Sequence, residues 1–252
     1  MNKTPLFVII LLLALTPRLA WGNAAPPHRP GNLSVELQGV KVVAIEHETL
    51  TIDLRPLQHG QPAIVEAIYQ VRNDGDDQTL DLVFVAGAVI DRGATVWLDD
   101  QPVTTARPTD IELPRSWQPP KTTPAIGSGA ALPYQYEDKQ GILGFSINLA
   151  RGSHVLRVRY TSQVTEYAGG SPIRYWQFSY VLAPAREWAS FGGLDLTVQL
   201  PEDWLAATDL PLKRNGNCLT ASFSEIPADS LAVTIQAPAR SADHTSALQS
   251  RP

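Results

Sequence analysis

His47-Glu48 opens like the zinc-binding helix of a metalloprotease, in which two histidines one helical turn apart hold the metal and the glutamate acts as base. The fifth position is Thr51, however, and Leu50, Ile52 and Leu54 alternate with Thr51 and Asp53, which is strand periodicity. The pair is expected to bind no metal. His28, His59, His154 and His244 are scattered, mostly near turns or termini, where a histidine is usually solvated. Gly127-Ser128-Gly129 matches a nucleophile elbow only in its centre, since Ile126 and Ala130 break the motif. Asp74-Gly75-Asp76-Asp77 clusters carboxylates without the spacing or terminal glutamate of a calcium loop, and reads as an acidic turn. No catalytic residue, metal ligand or cofactor is predicted.

The aromatic residues offer binding rather than bond-making chemistry. Trp176, Phe178 and Tyr180 share one strand face that Leu182 continues, so they are predicted to fill a core, with Tyr175 opposite them. Trp97, Trp117 and Tyr175 fall off the apolar registers and are candidates for an exposed aromatic surface. Trp117 sits between Pro114 and Pro119 on a stiffened loop, with Tyr134 and Tyr136 following. Trp117, Tyr134, Tyr136 and Tyr175 are the predicted ligand- or partner-contact residues. For Trp117 a second reading stands beside the first: a cap over the open end of a β-sandwich. Cys218, the single cysteine, lies in the register opposite Leu219, Ala221 and Phe223 and permits no intramolecular disulfide.

Strands must position these groups. Leu80, Leu82 and Phe84, then Phe145, Ile147 and Leu149, Leu156, Val158 and Tyr160, Leu194, Leu196, Val198 and Leu200, and Leu231, Val233 and Ile235 all recur at period 2. One polar face per strand predicts antiparallel sheets. Turns fall at Asn73-Asp74-Gly75, Asp99-Asp100, Arg151-Gly152 and Asn215-Gly216, the third read as a tight hairpin. Residues 183–190 allow a helical turn or two at most. The predicted class is all-β, an antiparallel Greek-key β-sandwich in two domains, at residues 33–165 and 166–238, with a hinge near 167–172. Residues 107–133 carry six prolines and form a long surface insertion in the first domain. Residues 23–32 are read as a linker and 239–252 as a disordered tail.

Residues 1–22 have the layout of a secretory signal: Lys3, the apolar run 6–15, and small residues Ala20 and Gly22 at the cleavage site, which places the mature start near Asn23. The run is too short to span a bilayer, for which about 20 apolar residues are needed. With Lys3 and Arg18 removed, 18 basic residues stand against 25 acidic ones, a net charge of −7, which disfavours nucleic acid and anionic lipid as partners.

Residues 67–73, the segment Leu149 to Tyr160, and Tyr180-Val181-Leu182-Ala183-Pro184-Ala185 followed by Trp188 resemble patterns in uncharacterised secreted bacterial β-sandwich proteins. The resemblance implies an exported bacterial protein and assigns no functional residue. The expected function is an exported, periplasmic or extracellular, non-enzymatic binding or assembly module whose partner is a protein or polysaccharide. The alternative is a carbohydrate-binding protein, or a hydrolase of envelope or extracellular polymers.

Overall fold

The computed structural model describes residues 24–25, 40–90, 93–108, 111, 113–127, 129–134, 141–167 and 174–238. The signal segment, most of the N-terminal linker, the hinge residues 168–172, Tyr136 and the tail beyond 238 lie outside them. The described residues form strands and no α-helix; short 3-10 turns occupy Val40–Val42, Arg55–His59, Arg115–Trp117 and Ala183–Ala185.

In chain order the strands are β1 (Ala24–Ala25), β2 (Val43–Asp53), β3 (Ala63–Asn73), β4 (Gln78–Val85), β5 (Thr95–Leu98), β6 (Gln101–Val103), β7 (Thr105–Ala106), β8 (Thr122–Thr123) and β9 (Leu132–Pro133). They continue with β10 (Ile142–Leu149), β11 (Gly152–Ser162), β12 (Thr165–Tyr167), β13 (Tyr175–Val181), β14 (Leu194–Gln199), β15 (Leu205–Thr208), β16 (Lys213–Asn215), β17 (Cys218–Phe223) and β18 (Ser230–Gln236). An eight-stranded sheet has the order β16-β17-β14-β2-β3-β11-β5-β6; two four-stranded sheets have the orders β1-β4-β10-β7 and β12-β13-β18-β15, and β8 pairs with β9. The large sheet thus draws strands from both sides of residue 165, and one hydrophobic cluster joins side chains from all three larger sheets. Leu82, Phe84, Ile147, Leu156, Val158, Leu196, Val198 and Val233, inward by alternation, are all buried in that cluster.

One predicted connection differs. Arg151-Gly152, read as a hairpin, is a corner between sheets, and the predicted turn Asn73-Asp74-Gly75 is its partner corner, because β3 and β11 lie in the eight-stranded sheet while β4 and β10 lie in a four-stranded one. β3 runs beside β11 up to the pair Asn73↔Gly152, and β4 beside β10 from Gln78↔Leu149, so both chains bend together. Asn73 fastens the bend. Its Nδ2 donates to the carbonyls of Asp76, Leu149 and Ala150, and its Oδ1 accepts from the Gly75 N–H and Gln78 Nε2. Turn residues mark where a chain turns, but not which strand it pairs with afterwards.

A further departure is that β2 and β14 pair in parallel, Leu194↔Glu48 to Gln199↔Asp53, which makes the large sheet mixed. The rule that parallel strands are covered on both faces reflects helical crossovers between them. Here most of the chain separates the two strands and no helix among the described residues covers them, so alternation persists in a parallel pair. Within β2 a bulge between Ile45 and His47 shifts the register against β3. Val43 and Ile45 point inward before it, and Glu48, Leu50 and Ile52 after it. Gly192 permits the bulge, since a Cβ there would stand 2.1 Å from the Glu46 carbonyl oxygen.

The Pro-rich insertion covers sheet surface. Trp117 packs in a second cluster with Val83, Val85, Ile142, Val181 and Ala183, on the face of β4, β10 and β13 turned away from the main core. Thr123 of β8 is buried; its Oγ1 meets Gln177 Nε2 at 2.7 Å and Thr234 Oγ1 at 2.9 Å. This cover buries the polar Gln177 and Thr234, while Ser179 is buried against Gly87, to whose carbonyl its Oγ donates at 3.0 Å.

Candidate functional site

A groove of about 920 Å³ opens where two sheets diverge. The chain leaves the edge of the large sheet at β6 and joins the edge of one four-stranded sheet as β7, so Thr104 spans the fork. One wall is the β5–β6 hairpin, with Leu98, Pro102 and Val103; the other is β10 from Gly144 to Asn148. Asp81, Asp99 and Arg107 supply charge around it.

The edge of β10 is open in this groove. Ala86 N–H donates to the Gly141 carbonyl at 2.6 Å, which fixes the alternation: Leu143, Phe145, Ile147 and Leu149 direct their main-chain groups to β4, and Gly144, Ser146 and Asn148 direct theirs to the other side. β7 pairs there with Gly144 and Phe145 alone. Beyond it, no strand among the described residues pairs with Ser146 and Asn148. Their side chains lie over the β4–β10 surface, Ser146 Oγ donating to Asp81 and Thr79 Oγ1 donating to Asn148 Oδ1 at 2.7 Å. An exposed strand edge is a template for a further strand. The hairpin wall is held by Asp99 and Asp100, at φ 49° and 62°, the positive values that a two-residue hairpin turn requires. Asp99 Oδ2 lies 2.7 Å from His154 Nδ1, and Oδ1 accepts from the Val155 N–H at 2.8 Å, which ties the hairpin to β11.

The residues expected to make contacts are dispersed. Trp117 is 1% exposed and presents no surface to a partner. Tyr134 is buried and donates its hydroxyl to the Gly87 carbonyl at 2.9 Å. Tyr175 is half-buried at the start of β13, opposite Tyr167 and Gln236, and Tyr136 lies outside the described residues. None of the three described residues lines the groove. Sequence reasoning missed the groove because an open strand edge has no residue signature; the polar outward residues Ser146 and Asn148 are its one trace.

Other polar clusters have definite geometry. Asp195 accepts from Ser222 Oγ at 2.6 Å and lies 3.0 Å from His47 Nε2; the hydroxyl first, then His47, hold its carboxyl below the usual range. The carboxylate stands between hydroxyl and imidazole, whereas nucleophilic catalysis needs the imidazole against the hydroxyl. In the main core, Tyr180 donates to Glu48 Oε1 at 3.3 Å, and Tyr69 Oη lies 3.2 Å from Tyr180 Oη. Among the described residues no three His, Cys, Asp or Glu side chains gather as a metal site, and no helix is long and apolar enough to cross a membrane.

Neither a family model nor a curated protein sequence matches the chain. Among solved structures it is similar to an M1 zinc metallopeptidase from Deinococcus radiodurans, at 14% identity over 79% of this chain and 43% of that one, with a TM-score of 0.37. It is also similar to yeast LTA4 hydrolase in complex with bestatin, at 10% identity over 82% and 31% of the two chains, with a TM-score of 0.44. The chain spans less than half the length of these structures. At these scores the likeness bears on neither fold nor activity.

Proposed function

We propose that the protein is an exported, non-enzymatic binding module that takes an extended polypeptide segment into the groove beside β10. The observation that carries this is the edge at Ser146 and Asn148, whose main-chain groups face a groove of adequate size with no strand opposite them. An incoming segment would extend β10 from the point where β7 leaves it, with main-chain hydrogen bonds giving affinity and Leu98 and Val103 offering apolar contact. At about 3.3 Å per residue, the stretch from Ser146 to Leu149 suits three or four residues of partner. Export rests on the signal layout of residues 1–22. It is consistent with the pairing of Ala24 and Ala25 to Phe84 and Val83, since cleavage after Gly22 leaves a strand docked directly behind the cut. The same proposal takes the three larger sheets as layers of a β-sandwich, supported by the Phe84–Tyr160 and Phe84–Tyr180 ring contacts, at 5.5 and 6.2 Å between centroids.

Proline tests the binding mode selectively. At Ser146 or Asn148 it removes an N–H that faces the groove and leaves the β4 ladder intact. Peptides selected from a random display library against the secreted protein are expected to lose at least tenfold in affinity for Ser146→Pro and Asn148→Pro, while both variants keep their melting temperature. Undiminished binding by both folded variants would sink the proposal.

A further inference from the structure

On the outer face of the large sheet, Trp97 of β5 stands directly across from Arg157 of β11, whose guanidinium carbon lies 4.5 Å from the indole centroid and which also reaches Asp100 at 3.3 Å. Arg157 is therefore engaged. Arg159, two residues along the same face, is exposed and makes no side-chain hydrogen bond or ion pair among the described residues. Its cross-strand neighbours are Thr95 on β5 and Glu66 on β3, and the half-buried Glu66 carboxylate forms no ion pair with it. Beside Arg159 lies a pocket of about 220 Å³ lined by Ile64, Gly93, Thr95, Trp97 and Thr161. Gly93 has φ 68°, and none of the described residues stands within 4 Å of where its Cβ would be.

We infer that this pocket binds a uronic-acid-type sugar, a pyranose carrying one carboxylate. At ~30 Å³ per water the space equals about seven waters, room for one ring. An uncommitted guanidinium presents paired donors in the planar geometry that matches a carboxylate. Indole and the Ile64 side chain supply apolar surface for the C–H groups of a ring. The hydroxyl of Thr95 donates only weakly, at 3.5 Å to the Arg159 carbonyl, and places a polar oxygen where a sugar hydroxyl needs a partner. Glu66 opposes the anion and so weakens binding without blocking the pocket. The site lies on the outer face of the large sheet, away from the β10 groove, and does not depend on the reading of that groove.

Calorimetry with glucuronate, glucose and cyclohexanecarboxylate, on the full secreted protein, tests the assignment. Glucuronate is expected to bind at least tenfold more tightly than either of the others, since glucose lacks the carboxylate and the carboxylic acid lacks the hydroxyls. Arg159→Gln and Trp97→Ala should each reduce glucuronate affinity by at least tenfold, and Glu66→Gln should increase it. Arg159→Gln alters an exposed side chain and should leave the melting temperature unchanged, so it remains decisive if Trp97→Ala folds poorly. A tetrameric oligouronate that binds more tightly than the monomer assigns the site to a residue within a polymer, and equal binding assigns it to a free sugar acid. Equal affinity for glucose and glucuronate, unchanged binding by Arg159→Gln, or no glucuronate binding at all would overturn the inference.

Discussion

Glu48 is the residue whose environment departs furthest from its chemistry. The β2 bulge turns it into the core, where it is fully buried beside Tyr69 and Tyr180. Tyr180 bonds Oε1, while Oε2 and the Tyr160 hydroxyl have no hydrogen-bond partner among the described residues. Burial, opposed by hydrogen bonds from Tyr180 and Tyr69, pushes its carboxyl up to about 8. The folded state therefore holds a proton that the unfolded chain releases at ordinary carboxyl pH. Stability from this group is complete below the unfolded value and is lost as pH rises towards about 8, at a slope on the order of 1 kcal/mol per pH unit. Glu48→Gln keeps the shape and cannot ionise, so its melting temperature should stay level over the range in which that of the parent falls. Parallel pH profiles for the two proteins would rule out Glu48 as the source. The residue was legible only as half of a rejected zinc motif, because alternation from Leu50 and Ile52 back to Glu48 gains meaning once the bulge is known.

Among the elements, the paired corners at Asn73 and Gly152 decide the architecture. β4, β10 and β11 were legible from alternation, yet the sequence around Asp74-Gly75 suits a hairpin as well as a corner. Asn73 discriminates, because its amide bonds carbonyls on both bending chains. Asn73→Ala leaves those buried or half-buried carbonyls without this donor and should cost about 2 to 3 kcal/mol in denaturant unfolding. Asn73→Asp sets an acceptor against three carbonyls and should cost at least as much. Stability unchanged in both would show that the corners hold without it. Gly87 is constrained at the same scale: a Cβ would stand 2.4 Å from the Ser179 carbonyl oxygen, where two sheets approach each other.

For the molecule as a whole, the insertion acts as a cover. Deleting the Trp117 ring opens a cavity between Val83, Val85, Ile142 and Val181, and Trp117→Ala should destabilise by about 3 to 5 kcal/mol. The groove borders this cluster through Val83 and Ile111, but its open edge at Ser146 and Asn148 lies farther along β10 than Ile142, so peptide affinity measured below the variant's melting temperature should be retained. Loss of binding with unchanged stability would return Trp117 to the contact surface. The continuous apolar runs Leu82 to Ala86 and Leu231 to Val233 carried the signal for such a cover, since strands buried on both faces lose their alternation. The sequence by itself determined the all-β class, the inward sets of the strands and the turn positions, because period-2 patterning and turn chemistry are local properties. Only the tertiary structure decided strand partners, the parallel β2–β14 pair, the burial of Trp117, Gln177 and Glu48, and the open edge of β10. Each of these depends on which distant segment arrives beside a strand, and main-chain hydrogen bonding is the same for every residue except proline.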